Sequence, residues 1–208
     1  MNVTESVLAV ISVIIIMLML NQIVGVFPSV VGCVFRLKEN FNIEDSVKLS
    51  RNRNEAAFAL FLPFILLAAH YGLYVPDWMS GLDLQFRIWF TMAVMAGFIL
   101  LRFVLYLSVL PKKRSAKSYK LAYKMNLTYF IVMSSVSLAF AGFMSLLKID
   151  AGIIKLTLLS VIGLIYLLLL IRKAQIFLSF YPTLNAFLYL CTLEFFPTGL
   201  LVVSAVIF

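Results

Sequence analysis

The chain has 208 residues, of which 63% are hydrophobic and only 12% charged, with a mean hydropathy of +1.07. A water-soluble domain of this length needs far more polar surface, so the composition argues against one. The net charge of +8, from 17 Lys and Arg against 9 Asp and Glu, comes mostly from short gaps between long apolar runs.

Six runs reach the ~20 mainly apolar residues that a helix needs to cross a ~30 Å hydrocarbon core. They are Ser6–Phe27, Ala56–Val75, Ile88–Leu110, Met125–Leu147, Gly152–Ile171 and Leu184–Phe208. An all-α polytopic membrane protein with six transmembrane helices is expected, as one domain over residues 1–208. Ahead of the first run stands Glu5 and no Lys or Arg, unlike the basic start of a signal peptide. Its apolar character continues to Phe35, and thirty residues of straight helix would measure ~45 Å. Gly25, Pro28 and Gly32 are placed to absorb the surplus, and the break is expected near Pro28.

The basic residues orient these runs. The first gap holds Arg36, Lys38, Lys48, Arg51 and Arg53. The third holds Lys112, Lys113, Arg114, Lys117, Lys120 and Lys124, and the fifth Arg172 and Lys173. The second gap has only Arg87 and the fourth Lys148 and Lys155, while Arg102 falls inside a run. Lys and Arg are retained in the cytoplasm. The loops at about 36–54 and 111–124 are therefore expected there, with both termini on the non-cytoplasmic side of an inner (cytoplasmic) membrane. The patch Lys112, Lys113, Arg114, Lys117 and Lys120 suits anionic lipid headgroups, at roughly 1 kcal/mol per basic residue near the surface. No nucleic-acid-binding module is recognisable.

Ionisable residues at membrane depth are costly and suggest function by default. Here they are His70, Arg102 and Glu194. Counting from the cytoplasmic end at ~1.5 Å per residue puts Arg102 about 12 Å deep and Glu194 about 15 Å deep. Opposite charges at one level suggest an ion pair. In the alternatives, Arg102 snorkels past Tyr106, or a protonated Glu194 bonds Ser134, Ser135 and Ser137. His70 lies near the outer end of its run with Tyr71 and Tyr74, as in an interfacial belt. One His, with Cys33 and Cys191 at no ligand spacing, suggests no metal or haem site, and no cofactor is expected. His70 and Glu194 sit in opposite halves of the bilayer, and no nucleophile accompanies either, so no catalytic residue is expected.

The richest stretch is Phe187-Leu-Tyr-Leu-Cys-Thr-Leu-Glu-Phe-Phe-Pro197. Pro197 removes one backbone donor and disfavours the helical bond to the carbonyl of Leu193. Transporters use interrupted helices of this kind to hold ions and polar substrates, although Pro also bends membrane helices simply for packing. The run Leu188-Tyr-Leu-Cys-Thr-Leu-Glu194, followed by Pro197, resembles the closing signature of an uncharacterised Bacteroidota inner-membrane family, the domain of unknown function forty-two seventy-one. The likeness extends back through the third to fifth runs. It departs at the end, where this chain has Val206-Ile-Phe208 and the family pattern closes on a basic residue. The resemblance implies no activity, cofactor or substrate. It marks Cys191, Glu194 and Pro197 and implies a cell-envelope role.

Two functions follow as expectations. The first is a non-enzymatic structural or accessory subunit of an envelope biogenesis, secretion or translocation complex, with membrane lipids and other integral membrane proteins as partners. The small-residue stretches Ala93–Gly97 and Ser134–Gly142 suit close helix approach, within the chain or against a partner. The alternative is a small transporter or lipid-handling protein using Glu194, Arg102, Cys191 and Pro197. Three runs followed by three of opposite orientation is an inverted-repeat layout, but no internal sequence similarity accompanies it.

Overall fold

The computed structural model describes residues 3–79, 81, 83–108 and 116–207, and among these it is helical with no strands. In chain order the helices are α1 (Val3–Leu18), α2 (Leu20–Phe35), α3 (Leu37–Asp45), α4 (Val47–His70), α5 (Leu84–Ser108), α6 (Ala116–Leu146), α7 (Ala151–Phe180), α8 (Thr183–Leu190) and α9 (Phe196–Ile207). A π-helical turn, Cys191–Phe195, joins α8 to α9. Among the described residues, four segments are long and apolar enough to cross a membrane: Leu84–Ser108, Tyr119–Leu146, Ala151–Phe180 and Thr183–Val203. The pair α1 and α2, bent by 72°, qualifies as a fifth if it is one broken span. This is a helical membrane protein by length, composition and exposure. Leu100, Phe103, Leu107, Leu156, Leu164 and Phe187 all stand exposed, an apolar surface that suits lipid and would be a liability in water.

The helix ends have local causes. Ser46 caps α4 by accepting from the Leu49 N–H, and Asp150 caps α7 by accepting from the Gly152 N–H at 2.8 Å; such caps satisfy donors that the first turn leaves free. At the other end of α4, Gly72 takes φ +60°. The Leu73 N–H then reaches back to the Ala68 carbonyl and the Gly72 N–H to that of Ala69, the paired bonds of a Schellman stop. The helix therefore ends at His70, short of the Val75 expected from hydropathy. Lys148 makes the same stop for α6 at φ 54°, with Ile149 N–H bonded to the Met144 carbonyl.

The break in the first run falls at Met19, not near Pro28. Pro28 sits inside α2, where loss of a single hydrogen bond is absorbed without ending the helix. The bend instead turns α2 so that Val26, Val30 and Cys33 pack with Ala56, Ala57, Leu60 and Ile131. A Cβ added at Gly32 would lie 3.2 Å from Glu39 Cγ, and at Gly25 3.5 Å from Asn52 Nδ2. The small residues of α2 thus serve contact with α3 and α4.

α4 and α6 form the middle of the bundle: α4 packs on α1, α2, α5 and α6, and α6 on α7 and α2. The first, third and fifth gaps meet at one end. Lys124 of α6 bonds Glu44 of α3 at 2.5 Å, and the buried Arg53 of α4 reaches the same carboxylate at 3.4 Å. Arg172 of α7 donates to the last carbonyls of α2, Val34 at 3.0 Å and Phe35 at 2.9 Å, a cation completing a helix C-terminus. At the opposite end Ala68, Leu73, Ala141, Ile154 and Leu158 pack together.

The first basic loop is mostly helical. It forms α3, anchored by buried Ile43 and half-buried Phe41, and the start of α4. In the second, Lys112, Lys113 and Arg114 lie outside the described residues, Lys117 stands on α6, and Lys120 is exposed, 3.8 Å from Glu44.

Candidate functional site: a buried ionic cluster at a π turn

Glu194 lies in the π turn, where the Phe196 N–H bonds the Cys191 carbonyl five residues back. Pro197, one residue further, has no N–H to continue the α-helical ladder. A turn widened by one residue beside such a proline re-aims side chains, and π turns recur at functional sites. Here the carbonyl that gains an outside partner is that of Glu194 itself, not the Leu193 carbonyl singled out from sequence. The Tyr166 hydroxyl of α7 lies 3.1 Å from it and 2.8 Å from the Thr198 hydroxyl.

The Glu194 side chain is fully buried. One carboxylate oxygen, Oε2, contacts Arg102 of α5. The other, Oε1, accepts from the Lys173 ammonium of α7 and, at 3.0 Å, from the Tyr106 hydroxyl of α5. Lys173, also fully buried, donates to Asn126 Oδ1 of α6 at 2.6 Å and reaches the Tyr106 oxygen at 3.3 Å. Arg102 rests over the Phe98 ring, 4.8 Å from its centroid. Helices α5, α6 and α7 and the π turn each contribute a polar side chain to this centre.

Its depth follows from the helices. Lys173 is seven residues before the end of α7, so about 10 Å inward at ~1.5 Å per residue, and Arg102 meets the same carboxylate. Tyr106 of the centre also packs in an aromatic cluster with Tyr119, Tyr123, Phe177, Tyr181 and Tyr189. The Tyr119 hydroxyl donates to the Tyr106 carbonyl at 2.7 Å. Tyr181 and Tyr189 rings are 4.8 Å apart.

The structure thus brings Arg102 and Glu194 together, with Cys191 half-buried at the start of the same turn and Pro197 buried just beyond it. Ser134 bonds its own helix, at the Phe130 and Ile131 carbonyls. His70 is remote and exposed at the far end of α4, its ring edge-on to Tyr71 at 4.9 Å. Cys33 is buried and both cysteines are free. Gly97 and Gly142 have nothing within 4 Å of an added Cβ, so those small-residue stretches are not close-packed at these positions within the chain.

Sequence reasoning assigned Lys173 to the fifth gap as a topology signal; it is a member of the centre. The signal was the apolar run that resumes after it, Ile176-Phe-Leu178 and Phe180, which carries α7 to Phe180 instead of Ile171. Tyr106, read from sequence only as a residue that Arg102 snorkels past, is a member too; Asn126 and Tyr166 were missed because single polar residues in apolar runs usually satisfy themselves locally.

Fold and site together define a helical membrane protein with a buried ionic centre drawn from α5, α6, α7 and the π turn. The chain matches no family model, no curated protein and no solved structure, so the function is read from this geometry.

Proposed function

We propose that the protein is a six-span inner-membrane protein without catalytic chemistry that binds and moves a small charged solute or a lipid headgroup past this ionic centre. The observation that carries this reading is Glu194, buried on a π turn between Arg102 and Lys173. Buried ion pairs add little net stability compared with apolar packing, and charges at membrane depth mark substrate and proton paths. α4, about 36 Å long at ~1.5 Å per residue, is the remaining crossing. The meeting of the three most basic gaps at one end of the bundle supports a cytoplasmic placement of that end, with both termini opposite. The test is flux into proteoliposomes, using labelled anions and fluorescent phospholipids. A saturable flux reduced tenfold or more in Glu194→Gln is expected; the same flux in that variant, or none in the wild type, contradicts the proposal.

A second reading is a structural or accessory subunit of an envelope complex, consistent with the cell-envelope role that the resemblance at residues 188–197 implies. It is favoured by the exposed apolar faces of α5 and α7, which another integral membrane protein could cover. Mild-detergent purification bringing down a stoichiometric multi-span partner supports it; a chain that purifies alone and is active in liposomes does not.

A further inference from the structure

The centre holds two cations against one carboxylate. Lys173 faces three acceptors, Glu194 Oε1, Asn126 Oδ1 and Tyr106 Oη, matching the three donors of an ammonium. Arg102 keeps its charge at any physiological pH. Among the described residues Arg102 and Lys173 form ion pairs with Glu194 alone, while Glu44 pairs with Arg53 and Lys124 and Glu55 with Arg51. Asp150 caps the far end of α7, about 35 Å from Lys173 at ~1.5 Å per residue. With Lys173 held as the ammonium that its three acceptors suit, one positive charge is left over at membrane depth, where an unbalanced ion is strongly disfavoured.

A second observation locates the surplus. Glu194 spends one oxygen on Lys173 and Tyr106, and the other on Arg102, whose buried Nε has no hydrogen-bond partner. Phe98 covers one face of the guanidinium, and the Tyr166 hydroxyl is bonded to the backbone carbonyl of Glu194, the residue that Arg102 contacts. A planar guanidinium with an unused donor on its edge suits an oxyanion.

We propose that Arg102 receives a monovalent oxyanion, through carboxylate or phosphate oxygens, with the Tyr166 hydroxyl beside it, and that the bound anion neutralises the surplus charge. This deepens the solute-handling reading and rests on it.

The experiment uses the full chain in nanodiscs. In phosphatidylcholine discs, thermal unfolding is followed against acetate and inorganic phosphate, with chloride at equal ionic strength as control. A second arm uses phosphatidylglycerol discs with no added anion. Saturable stabilisation by acetate or phosphate, absent with chloride, identifies a free anion as ligand. Stabilisation by phosphatidylglycerol that leaves no further response identifies a lipid headgroup.

The discriminating variant is Lys173→Met, which removes the surplus without touching Arg102. The affinity is expected to fall at least tenfold in that variant, and equally in Arg102→Gln. No oxyanion effect above chloride in either arm, or wild-type affinity in Lys173→Met, overturns the proposal. Oxyanion binding without flux keeps this site and overturns transport; flux with no oxyanion binding overturns this site alone.

Discussion

Lys173 and Glu194, 21 residues apart in the chain, are both fully buried and bonded to each other. Neither is tolerable alone at that depth. A single buried charge without its partner costs about 3–5 kcal/mol, so each explains the placement of the other. Arg102 then makes the arrangement asymmetric: loss of either cation leaves a neutral pair, but loss of the carboxylate leaves two cations. Glu194→Gln is therefore expected to destabilise more than Arg102→Leu or Lys173→Met, by about 1–3 kcal/mol. Denaturant titration in detergent micelles, with the variants compared side by side, checks the order.

The contact between the first and third basic gaps makes a graded prediction. Glu44 accepts from Lys124 at 2.5 Å and Arg53 at 3.4 Å, and Arg53 is only 1% exposed. Glu44→Gln is expected to cost about 1.5–3 kcal/mol, because it strips a buried guanidinium of its charged acceptor. Lys120→Ala is expected to stay within about 0.5 kcal/mol, its amine being exposed and 3.8 Å away. Equal effects in the same titration would show that this carboxylate does not tie α3 to α4 and α6.

Gly72 stops α4 in a left-handed conformation that side chains disfavour. Gly72→Ala is expected to cost about 1–2 kcal/mol. Gly97→Ala, with nothing within 4 Å of the new Cβ, is expected to be neutral or stabilising in the same assay.

Orientation is tested by labelling single introduced cysteines in intact cells with a membrane-impermeant thiol reagent. Lys148→Cys, between α6 and α7, is expected to react from outside; Lys120→Cys, beside Glu44, only after permeabilisation. The reverse pattern would invert the whole arrangement.

Much of the fold was legible because hydropathy and charge act on whole segments. Arg102 and Glu194 stood out for the same reason, as charges inside apolar runs. Lys173 was hidden by position: next to Arg172 it reads as one more basic residue at a helix end, and only its neighbours across three helices show otherwise. The break at Met19 was hidden differently. Pro28 is the stronger local signal, but the bend is chosen by where α2 can pack on the alanines of α4, a tertiary preference no local rule contains. The π turn is intermediate, since Pro197 announced an interruption but not which carbonyl would find a partner.

The most direct test of the ionic centre is a rescue measurement, comparing Glu194→Gln alone with Glu194→Gln combined with Lys173→Met. If the buried charges balance one another, the second substitution removes one of two stranded cations. The double variant should then unfold at higher denaturant than the single one, with a coupling of about 1–3 kcal/mol. A double variant no more stable than Glu194→Gln alone would show that Lys173 and Glu194 do not depend on each other.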